Sequence, residues 1–457
     1  MRPAGRILFS GKNMKNILTI AASDSSGGAG IQADIKAITV LGGYALSAIT
    51  ALTAQNSISI EDIHPVPCDF LSKQLDAVLK DIGADAVKTG MLLEKTTVKT
   101  IVNKIKEYNI PVIVIDPVIS STTGHTLLKD DALKALKEEL LPLATMITPN
   151  LDEAFALTGI KADSISSMKD AAEKLFELGA KNVLIKGGHL KDDPTDILYN
   201  GKSFFEFPEI RINTKNTHGT GCTLSAAIAT ELAKGSTPFD AVKNSKKFIT
   251  TAIKYSLPFG SGHGPTNPFA AILQNAEIYQ CIKELTRNIE VLKNKKIGRL
   301  IPEIQSNFGY ITPAGTGPED VIAFPGRIIR FRNSITTVSA PEPGASRHIA
   351  KVILTAFKHN RLIRSTMNIA YREEIIDACR QLGLTIGEFS RSEEPPKIKE
   401  LEGSTMEWGT EKAINDNGFV PDIIFDQGGI GKEPITRVLG TDPANVAGKI
   451  IKIAEII

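Results

Sequence analysis

Short apolar runs alternate with helical patterns from residue 15 to about residue 264. Residues 17–22, 112–115 and 183–185 are strand-like runs rich in β-branched or other apolar side chains. Residues 31–38, which follow a glycine-rich loop, place isoleucines at helical spacing. Strand, loop and helix in regular alternation predict the α/β class, with a mostly parallel sheet and helices on both faces.

The alternation of strands and helices changes from about residue 200 onward. Asn200-Gly201 lies between two strand-like runs and predicts a tight hairpin. The alternation stops near residues 261–265, and a helical stretch follows from about 268 to 294. A second set of patterns then begins, with strands at 320–324, 328–331, 385–389 and 422–425 and helices at 346–358 and 372–382. We therefore predict two α/β domains, at 14–270 and 280–457, of which the second is smaller.

Composition narrows the class of protein. The chain has 457 residues, of which 42% are apolar and 23% are charged. This length favours two domains, and this composition is typical of a folded soluble protein. Lys and Arg total 53 against 51 Asp and Glu, for a net charge of +2. A protein that coats nucleic acid would carry a basic excess, and no run is long and apolar enough for a membrane helix. We predict no nucleic-acid partner and no membrane.

The cysteines and the first residues indicate the compartment. The four cysteines have neither zinc-site spacing nor the density of a disulfide framework, which favours a reducing cytoplasm; they are Cys68, Cys222, Cys281 and Cys379. Residues 1–13 hold only a three-residue apolar patch, whereas a secretory signal needs about 7–15 apolar residues. We expect a disordered tail, or a true start at Met14.

The strongest motif is N-T-H-G-T-G-C at residues 216–222, which leads into a helical pattern at 223–233. Backbone N–H groups of Gly219, Thr220 and Gly221 would converge on an anion at a helix N-terminus, where the helix dipole adds positive potential. Such a nest suits the charge that builds on a phosphoryl group in transfer. An ordinary helix start is the alternative, and Gly235 is a plausible stop for this helix.

Several motifs in order carry a family resemblance. They are A-S-D-S-S-G-G-A-G-I-Q-A-D at 22–34, T-A-L-T-A-Q-N at 50–56, K-T-G-M at 88–91, T-P-N-L-D-E at 148–153, K-G-G-H at 186–189 and the 216–222 motif. Over about residues 15–265 the chain resembles the ribokinase superfamily, and within it the hydroxymethylpyrimidine and phosphomethylpyrimidine kinases of the ThiD family. The resemblance implies ATP as the phosphoryl donor and two successive phosphorylations, first of an alcohol and then of its monophosphate.

The resemblance also implies a substrate site. Gln55 would hold the amino and ring-nitrogen edge of the pyrimidine, since a primary amide offers both a donor and an acceptor. Ala22, Asp34, Met91 and Val118 would complete this site. Met91 and Val118 could instead be core residues. Asp34 could instead be a polar residue that faces solvent on the first helix.

Groups for the nucleotide phosphates follow from the same resemblance. Asn150 and Glu153 match the family's N-x-x-E element, which positions Mg²⁺ and its waters, and Asp116 is a third candidate for that water shell. Lys186 would approach the transferring phosphate as a point charge. A solvated lysine in a turn is the alternative for Lys186, although its place at a strand end favours a function.

Cys222 stands where most sugar kinases of the superfamily have a catalytic aspartate. A helix N-terminus lowers the pKa of a cysteine, so Cys222 could accept a proton. We also hypothesise that a neutral thiol tolerates the anionic second substrate, which a carboxylate would repel. A buried inert cysteine is the alternative. His64, His125 and His189 lack metal-ligand spacing and are interpreted as ordinary polar or packed residues.

Basic residues concentrate in the second domain. Residues 327–364 hold eight bases against one acid, Glu342; the bases are Arg327, Arg330, Arg332, Arg347, Lys351, Lys358, Arg361 and Arg364. Arginine can grip phosphate and diphosphate in bidentate fashion. Ser346 could cap the helix that follows it, and the loop at 426–433 is a second flexible, anion-friendly segment. A solvated basic face with a glycine turn is the alternative.

This domain resembles the ThiN family of thiamine-phosphate synthases over about residues 280–457. The matching motifs are Y-I-T-P at 310–313, F-P-G-R at 324–327, G-A-S-R-H at 344–348 and D-Q-G-G at 426–429. The resemblance implies that Arg327 and His348 are catalytic, and we expect phosphate to contact five further residues: Ser346, Arg347, Gly428, Gly429 and Lys432. The reaction would join a pyrimidine diphosphate to a thiazole phosphate and expel diphosphate.

A sensor of thiamine phosphates is the alternative for the second domain. Sensors of this type follow DNA-binding helices and lack the catalytic arginine and histidine, whereas this sequence has both residues and no helix-turn-helix signal. The expected partners are therefore ATP, the pyrimidine and its phosphates, and thiazole phosphate. Related kinases also imply a homodimer or a higher homo-oligomer.

Overall fold

The computed structural model describes residues 14–119, 127–190, 193–395, 404–429 and 431–457. The chain divides into two units between Ile272 and Leu273, and each unit is described by itself below. The predicted N-terminal tail and His125 lie outside the described residues. Among the described helices, none combines the length and the apolar character that crossing a membrane requires.

The first unit is built on a nine-stranded sheet. Its order is β3-β2-β1-β4-β5-β6-β7-β8-β9. The six central strands β2, β1, β4, β5, β6 and β7 run parallel. The strands β3, β8 and β9 each run antiparallel to the strand before them in the chain. The strands are β1 Asn16–Asp24, β2 Tyr44–Gln55, β3 Ile60–Pro65, β4 Ala86–Thr89, β5 Ile113–Ile115, β6 Met146–Ile147, β7 Val183–Ile185, β8 Thr195–Tyr199 and β9 Phe204–Pro208. The predicted parallel sheet is confirmed, and the Asn200-Gly201 turn joins β8 to β9 as a hairpin.

Helices cover both faces of this sheet. They are α1 Gly30–Val40, α2 Cys68–Asp81, α3 Lys95–Glu107, α4 Asp130–Ala135, α5 Leu151–Thr158, α6 Ile165–Glu177, α7 Thr220–Ala233 and α8 Pro238–Lys254, with shorter turns at Leu136–Leu140 and Leu141–Leu143. Alternate strand residues supply the two cores: Leu18 packs with α2, α3 and α6, whereas Ile17 packs with α1, α7 and α8. Gly235 adopts a φ of +94° directly after α7, so it ends the helix as expected.

The second unit has a seven-stranded, mostly antiparallel sheet. Its order is β14-β11-β10-β15-β18-β17-β16, where only β16 and β17 pair in parallel, and β12 and β13 form a separate hairpin. The strands are β10 Phe308–Ile311, β11 Val321–Ala323, β12 Ile328–Phe331, β13 Ser334–Thr337, β14 Glu342–Pro343, β15 Ser365–Ala370, β16 Ile386–Glu388, β17 Ile423–Asp426 and β18 Ile435–Gly440.

Five helices of the described residues accompany this second sheet. They are α9 Ala270–Lys293, which contains the division between the units, and α10 Arg347–His359, α11 Glu373–Gln381, α12 Ser404–Asn417 and α13 Pro443–Ile456; shorter turns lie at Gly298–Leu300, Pro318–Asp320 and Arg391–Glu393. Residues of α9, α11 and α13 pack in one core, and residues of α10 and α12 pack in others. Sheet and helices together form the smaller second α/β unit that the sequence predicts.

Candidate active sites

A cavity of about 720 Å³ opens at the carboxyl ends of the parallel strands of the first unit. Ligands bind at this edge in open α/β sheets, because loops after neighbouring strands converge there. The cavity brings together twelve of the thirteen residues predicted for this domain: Ala22, Gln55, Met91, Asp116, Val118, Asn150, Glu153, Lys186, Gly219, Thr220, Gly221 and Cys222. Met91 and Val118 also pack beside the small apolar cluster of Ala22 and Ala51, so they are wall and core residues at once.

Asp24 holds the first glycine loop in shape. Its side chain accepts hydrogen bonds from the backbone N–H groups of Ser26, Gly28 and Ala29 at 2.8, 3.1 and 2.8 Å. Burial alone would raise the pKa of Asp24, but the hydrogen bonds from His218, Ser26 and Ala29 outweigh it and lower the pKa to about 2. The carboxylate is therefore ionised at neutral pH and fixes a loop that lines the cavity.

His218 connects this loop to the pyrimidine-binding candidate Gln55. Its Nε2 lies 2.9 Å from Asp24 Oδ2 and 3.4 Å from Nε2 of Gln55. Because the facing carboxylate is ionised, His218 Nε2 carries the hydrogen, which favours the orientation of Gln55 that presents its amide oxygen to the ring. The sequence reasoning missed this residue, although it stands inside the quoted N-T-H-G-T-G-C motif.

The two glycine loops meet at Gly219. This residue begins α7 with a φ of +79°, and a Cβ there would lie 1.8 Å from the carbonyl oxygen of Gly28. Only glycine permits both this backbone conformation and this approach. The predicted anion nest at 219–221 is thereby held against the Asp24 loop.

Lys186 points at the N-terminus of α7. Its Nζ lies 3.0 Å from Asp116 Oδ1 and 3.9 Å from Glu153 Oε2, and a Cβ on Gly221 would be 3.2 Å from it. Burial would lower the pKa of Lys186, but the charges of Asp116 and Glu153 raise it. Burial would likewise raise the pKa of Asp116, but Lys186 and Lys88 lower it, so this lysine and this aspartate face the nest as an ion pair.

Asn150 and Glu153 form a capping box at the start of α5. Asn150 Oδ1 accepts from the backbone N–H of Glu153 at 2.9 Å, and Glu153 Oε2 accepts from that of Asn150 at 2.7 Å. Burial raises the pKa of Glu153 to about 7. The N-x-x-E element therefore has a structural role of its own, which the sequence reasoning did not include.

Cys222 differs from the expectation. Burial of the thiol raises its pKa to about 11, with Asp34 and Asp116 adding to the rise, against the lowering effects of Lys88 and a hydrogen bond from the Gly30 N–H. The prediction of a lowered pKa is wrong, because burial outweighs the helix N-terminus. Cys222 lines the cavity as a neutral thiol at pH 7.

Asp34 is also placed differently from either expectation. Its side chain is fully buried beneath the cavity rather than part of its wall, and it does not face solvent. It accepts from Lys88 Nζ at 2.9 and 3.0 Å and from the Thr19 hydroxyl at 2.5 Å. Lys88 is fully buried as well, so each charge requires the other, and neither could be assigned a partner from spacing alone.

Helices α7 and α8 contribute apolar residues to the cavity lining. Leu224, Ile249 and Ile253 line the cavity, together with His189 and Lys246. Lys246 pairs with Asp196 at 2.9 Å, and Asp196 accepts from the N–H of Gly187, directly after Lys186. His189, which the sequence reasoning interpreted as ordinary, thus lies at the cavity, whereas His64 is not among the lining residues.

In the second unit, Arg327 and His348 come from different segments. Arg327 follows Gly326 with both residues at positive φ (+68° and +69°), and its guanidinium donates to the Ile304 carbonyl. His348 lies in the first turn of α10. Partial burial lowers the pKa of His348, and the four largest charge effects on it come from cations: Arg327, Lys351, Arg437 and Arg391.

Three other predicted residues of this unit are Ser346, Arg347 and Lys432. Ser346 is the N-cap residue of α10, but its side chain makes no capping hydrogen bond, so that part of the expectation is wrong. Its hydroxyl is not committed to the helix. Arg347 and Lys432 are exposed.

The 426–433 loop is tightly closed and anchored on Asp426. Gly429 and Lys432 exchange two backbone hydrogen bonds at 3.0 and 2.9 Å, and the N–H of Gly428 donates to Asp426 Oδ1 at 3.0 Å. Asp426 is fully buried and also binds Arg391 and Arg437. The sequence reasoning noticed the loop but assigned no role to these three charged residues.

Comparison with known families agrees with this geometry. The family model for phosphomethylpyrimidine kinase matches residues 24–267, and the model for thiamine-phosphate synthase ThiN matches residues 284–452. The first match covers more than half of the chain. The chain belongs to the phosphomethylpyrimidine kinase family. It is a fusion of a ThiD-type kinase region with a ThiN region, as the motifs predict.

Related proteins match the kinase region of the chain. Over 257 residues the kinase region is 50% identical to a thiamine biosynthesis bifunctional protein, ThiED, of Geobacter sulfurreducens, covering 56% of this chain and 52% of that protein. It is 46% identical over 255 residues to the hydroxymethylpyrimidine/phosphomethylpyrimidine kinase of Bacillus subtilis, covering 55% of this chain and 94% of that protein. The chain thus spans about half of the bifunctional relative and nearly all of the single kinase.

A solved structure supports the fold and the kinase class. The ADP complex of Bacillus subtilis pyridoxal kinase is 41% identical to the matched region, covers 57% of this chain and 99% of that chain, and superposes with a TM-score of 0.53. This phosphomethylpyrimidine kinase region therefore has a ribokinase-like fold and belongs to a family of ATP-dependent kinases.

Proposed function

We propose that the chain is a bifunctional enzyme of thiamine biosynthesis. The first unit would phosphorylate 4-amino-5-hydroxymethyl-2-methylpyrimidine to its monophosphate and then to its diphosphate. The second unit would join this diphosphate to thiazole phosphate, giving thiamine phosphate and diphosphate. The single observation that carries the kinase proposal is the convergence of Lys186, Asp116 and the N-terminus of α7 in one cavity with Gln55.

Phosphoryl transfer is mainly a matter of position and charge. The acceptor oxygen attacks the γ-phosphorus while the bond to the leaving ADP oxygen breaks, and the charge spreads over the equatorial oxygens. N–H groups of residues 219–221, the α7 dipole and the Lys186 ammonium would stabilise that charge. Asp116 would keep Lys186 charged and aimed at the nest, since their atoms are 3.0 Å apart.

Cys222 would act as a neutral neighbour of the reacting oxygen. With its pKa at about 11, the thiol holds its proton at pH 7 and accepts none from the alcohol. A loose transition state needs little base, so the alcohol proton can leave late, to a phosphate oxygen or to water. The same uncharged group would then admit the monophosphate as the second acceptor.

The cation proposed for this site is Mg²⁺. Among the described residues no three His, Cys, Asp or Glu side chains are placed to hold an ion directly. This fits Mg²⁺, which keeps several waters and needs only one or two carboxylates besides the phosphates. Asp116, Asn150 and Glu153 line the same wall of the cavity and would hold it through water. When bound, it would neutralise charge on the phosphate oxygens.

The nucleotide base would bind beside the apolar residues that α7 and α8 contribute to the cavity. Leu224, Ile249 and Ile253 offer aliphatic surface for a purine, and His263 lies in the same lining. Lys246 is held by Asp196, which also fixes the Gly187 turn after Lys186. The triphosphate would thereby run from these residues to the α7 nest.

The second unit would stabilise a leaving diphosphate. As diphosphate departs, the pyrimidine methylene becomes cation-like, so neutralising the leaving oxygens matters more than a strong base. Arg327 would bind these oxygens, and His348 would donate a hydrogen bond or a proton to them. His348 stands among cations, which suits contact with an anion.

A coupled assay tests the whole proposal. The purified chain is given the pyrimidine alcohol, ATP, Mg²⁺ and thiazole phosphate, and the phosphorylated products are separated and quantified over time. We expect successive monophosphate, diphosphate and thiamine phosphate. Diphosphate that accumulates without thiamine phosphate would refute the synthase assignment, and the absence of any phosphorylation would refute the kinase assignment.

Two variants separate the units. Lys186→Gln is expected to lose roughly 10²-fold or more in phosphorylation, because it removes a charge that stabilises the transition state, while supplied pyrimidine diphosphate is still condensed. Arg327→Ala is the matched opposite, with normal phosphorylation and impaired condensation. Loss of both activities in either variant would contradict the assignment of one activity to each unit.

A homo-oligomer and a cytoplasmic location stay predictions.

A further inference from the structure

Asp426 lies at the centre of a buried charge cluster in the second unit. Its Oδ1 is 2.6 Å from Arg391 Nε, and its Oδ2 is 3.4 Å from Arg391 Nη2 and 2.9 Å from Arg437 Nη2. The exposed fractions of the three side chains are 0% for Asp426, 13% for Arg391 and 4% for Arg437. One carboxylate thus faces two guanidinium groups, and the cluster has a net charge of +1.

The two arginines differ in how many of their N–H donors are used by the protein. Arg437 Nη1 also donates to the Ile435 carbonyl, Nη2 reaches the sulfur of Met406, and the guanidinium stacks 5.3 Å from the Phe389 ring centroid. Arg391 uses only two of its five N–H donors, both on Asp426, as far as the described residues extend. Within the described residues the other three N–H donors of Arg391 have no protein partner, which leaves them available to an anion.

Arg391 also adjoins the glycine loop that the sequence singled out, and its charge acts on His348. A Cβ on Gly429 would lie 3.8 Å from Arg391 Cδ, and Asp426 itself receives the N–H of Gly428. Arg391 contributes to the positive field on His348 together with Arg327, Lys351 and Arg437. The Arg391 guanidinium thus adjoins the glycine loop, and an excess positive charge at nearly buried groups calls for an anion.

We propose that Arg391 is a further phosphate-binding residue of the second unit, and that Asp426 is the positioning residue that presents its guanidinium beside the Gly428–Gly429 loop. The anion is a phosphate group of a substrate: either the diphosphate of the pyrimidine or the phosphate of the thiazole. Arg437 keeps the carboxylate fixed from the buried side. This inference rests on the synthase activity proposed above.

Steady-state kinetics of condensation test the proposal in the full chain. The pyrimidine diphosphate and thiazole phosphate are supplied directly, each is varied in turn, and inorganic diphosphate is added as a product inhibitor. For Arg391→Gln we expect a roughly 10- to 100-fold rise in one KM, the range for losing a charged hydrogen bond, with a smaller change in kcat. Arg391→Lys keeps the charge and is expected to recover part of the loss.

The two phosphate sources give different results. If Arg391 binds the diphosphate, the KM for the pyrimidine diphosphate and the inhibition constant of inorganic diphosphate rise together. If it binds the thiazole phosphate, only that KM rises. Asp426→Asn keeps the shape of the side chain but removes its charge, and it should reproduce the same KM change through a misplaced Arg391. If Asp426→Asn does not fold, Arg391→Gln decides, since Asp426 then keeps Arg437.

Arg380→Gln is the matched control. Arg380 also pairs with a carboxylate, Asp377, at 2.7 Å in the same unit, but both side chains are about 60% exposed. Its kinetics should equal those of the unchanged chain. KM values and the inhibition constant within twofold of the unchanged chain in Arg391→Gln would overturn the proposal.

Failure of the proposed function gives a separate result. If the unchanged chain condenses nothing, the synthase proposal fails, and calorimetric titration with inorganic diphosphate still tests Arg391. Weaker binding by Arg391→Gln than by Arg380→Gln would support the anion site, and equal binding would refute it.

Discussion

The contact between the two glycine loops gives the sharpest prediction for the kinase. Gly219 starts α7 at a φ of +79°, and its missing side chain lets the carbonyl oxygen of Gly28 approach. Gly219→Ala would place a Cβ 1.8 Å from that oxygen. An ordinary carbon–oxygen contact is about 3.2 Å, so one loop must move by roughly 1.4 Å.

Both stability and rate follow from this displacement. The left-handed backbone adds about 1–2 kcal/mol of strain for a residue with a Cβ. The forced movement displaces either the N–H groups at 219–221 or the Asp24 loop, which carries the His218 contact. A misplacement of about 1 Å can cost roughly 10² in rate, so kcat/KM of phosphorylation should fall at least about 100-fold.

Gly235→Ala separates strain from collision. Gly235 ends the same helix at a φ of +94°, and nothing lies within 4 Å of the position of its Cβ. This variant should lose a similar 1–2 kcal/mol of unfolding free energy and keep its kinase rate. Both variants are measured by denaturant unfolding, monitored on the first unit, and by initial rates of alcohol phosphorylation.

The comparison can refute the reasoning in two ways. If Gly219→Ala keeps its kcat/KM within about fivefold of the unchanged chain, the loop contact does not position the phosphate site. If Gly235→Ala loses as much activity as Gly219→Ala, general destabilisation rather than loop displacement explains the loss.

Three further predictions test single side chains. Cys222→Asp should slow phosphorylation of the monophosphate about 10²-fold more than that of the alcohol, since two charges about 5 Å apart at an effective dielectric of about 20 repel by about 3 kcal/mol; equal losses on both acceptors would refute the neutral-thiol hypothesis. The Asp24 pKa of about 2 in the folded protein, against the ordinary 3.8, contributes about 2 kcal/mol of stability that is present above pH 3.8 and is lost as the pH falls through 2. Asp24→Asn should therefore unfold more easily by that amount between pH 5 and 7, and a difference that varies over this range would contradict the assignment. Arg327→Ala should slow condensation of supplied substrates by about 10²–10³, and a far smaller loss would exclude a direct catalytic role.

The sequence predicts the fold of the first unit well because its central strands are buried on both faces. Runs such as 183–185 have no exposed face, so apolar residues are continuous and the strand pattern is plain. The second unit gives weaker signals. Its strand β14 has two residues, both exposed, and no hydrophobic pattern marks it. Its pairing with β11 depends on tertiary contacts that local sequence does not encode.

Site residues at strand ends are predictable, and their partners are not. Lys186 and Asp116 follow strands that pair through a shared neighbour, so topology alone brings them to one edge of the sheet. His218 meets Asp24 across 194 residues, and Lys88 meets Asp34 across 54. These contacts depend on how α1 and α7 pack on the sheet, which spacing along the chain does not specify.

The same limit explains why the sequence predicts the wrong direction for the pKa of the Cys222 thiol. A helix N-terminus lowers a thiol pKa when the group is accessible, and the sequence shows the helix but not the burial. The structure adds fully buried Asp34 and Asp116, whose negative charges further disfavour a thiolate. The sequence identifies the residue and the direction of the helix-dipole effect on its pKa. It does not reveal the burial, whose desolvation effect on that pKa is larger.

The charges around the reacting end of the kinase explain why a neutral residue at position 222 matters. Lys186 contributes one positive charge and Asp116 one negative charge, while the pKa of Glu153 near 7 leaves that carboxyl only partly ionised. The charges of these three groups nearly cancel, before any contribution from residue 222. An aspartate at position 222 would make the set clearly negative where a dianionic monophosphate must enter. A thiol with a pKa near 11 keeps the balance for both acceptors, which supports the proposal that one site phosphorylates an alcohol and then its own product.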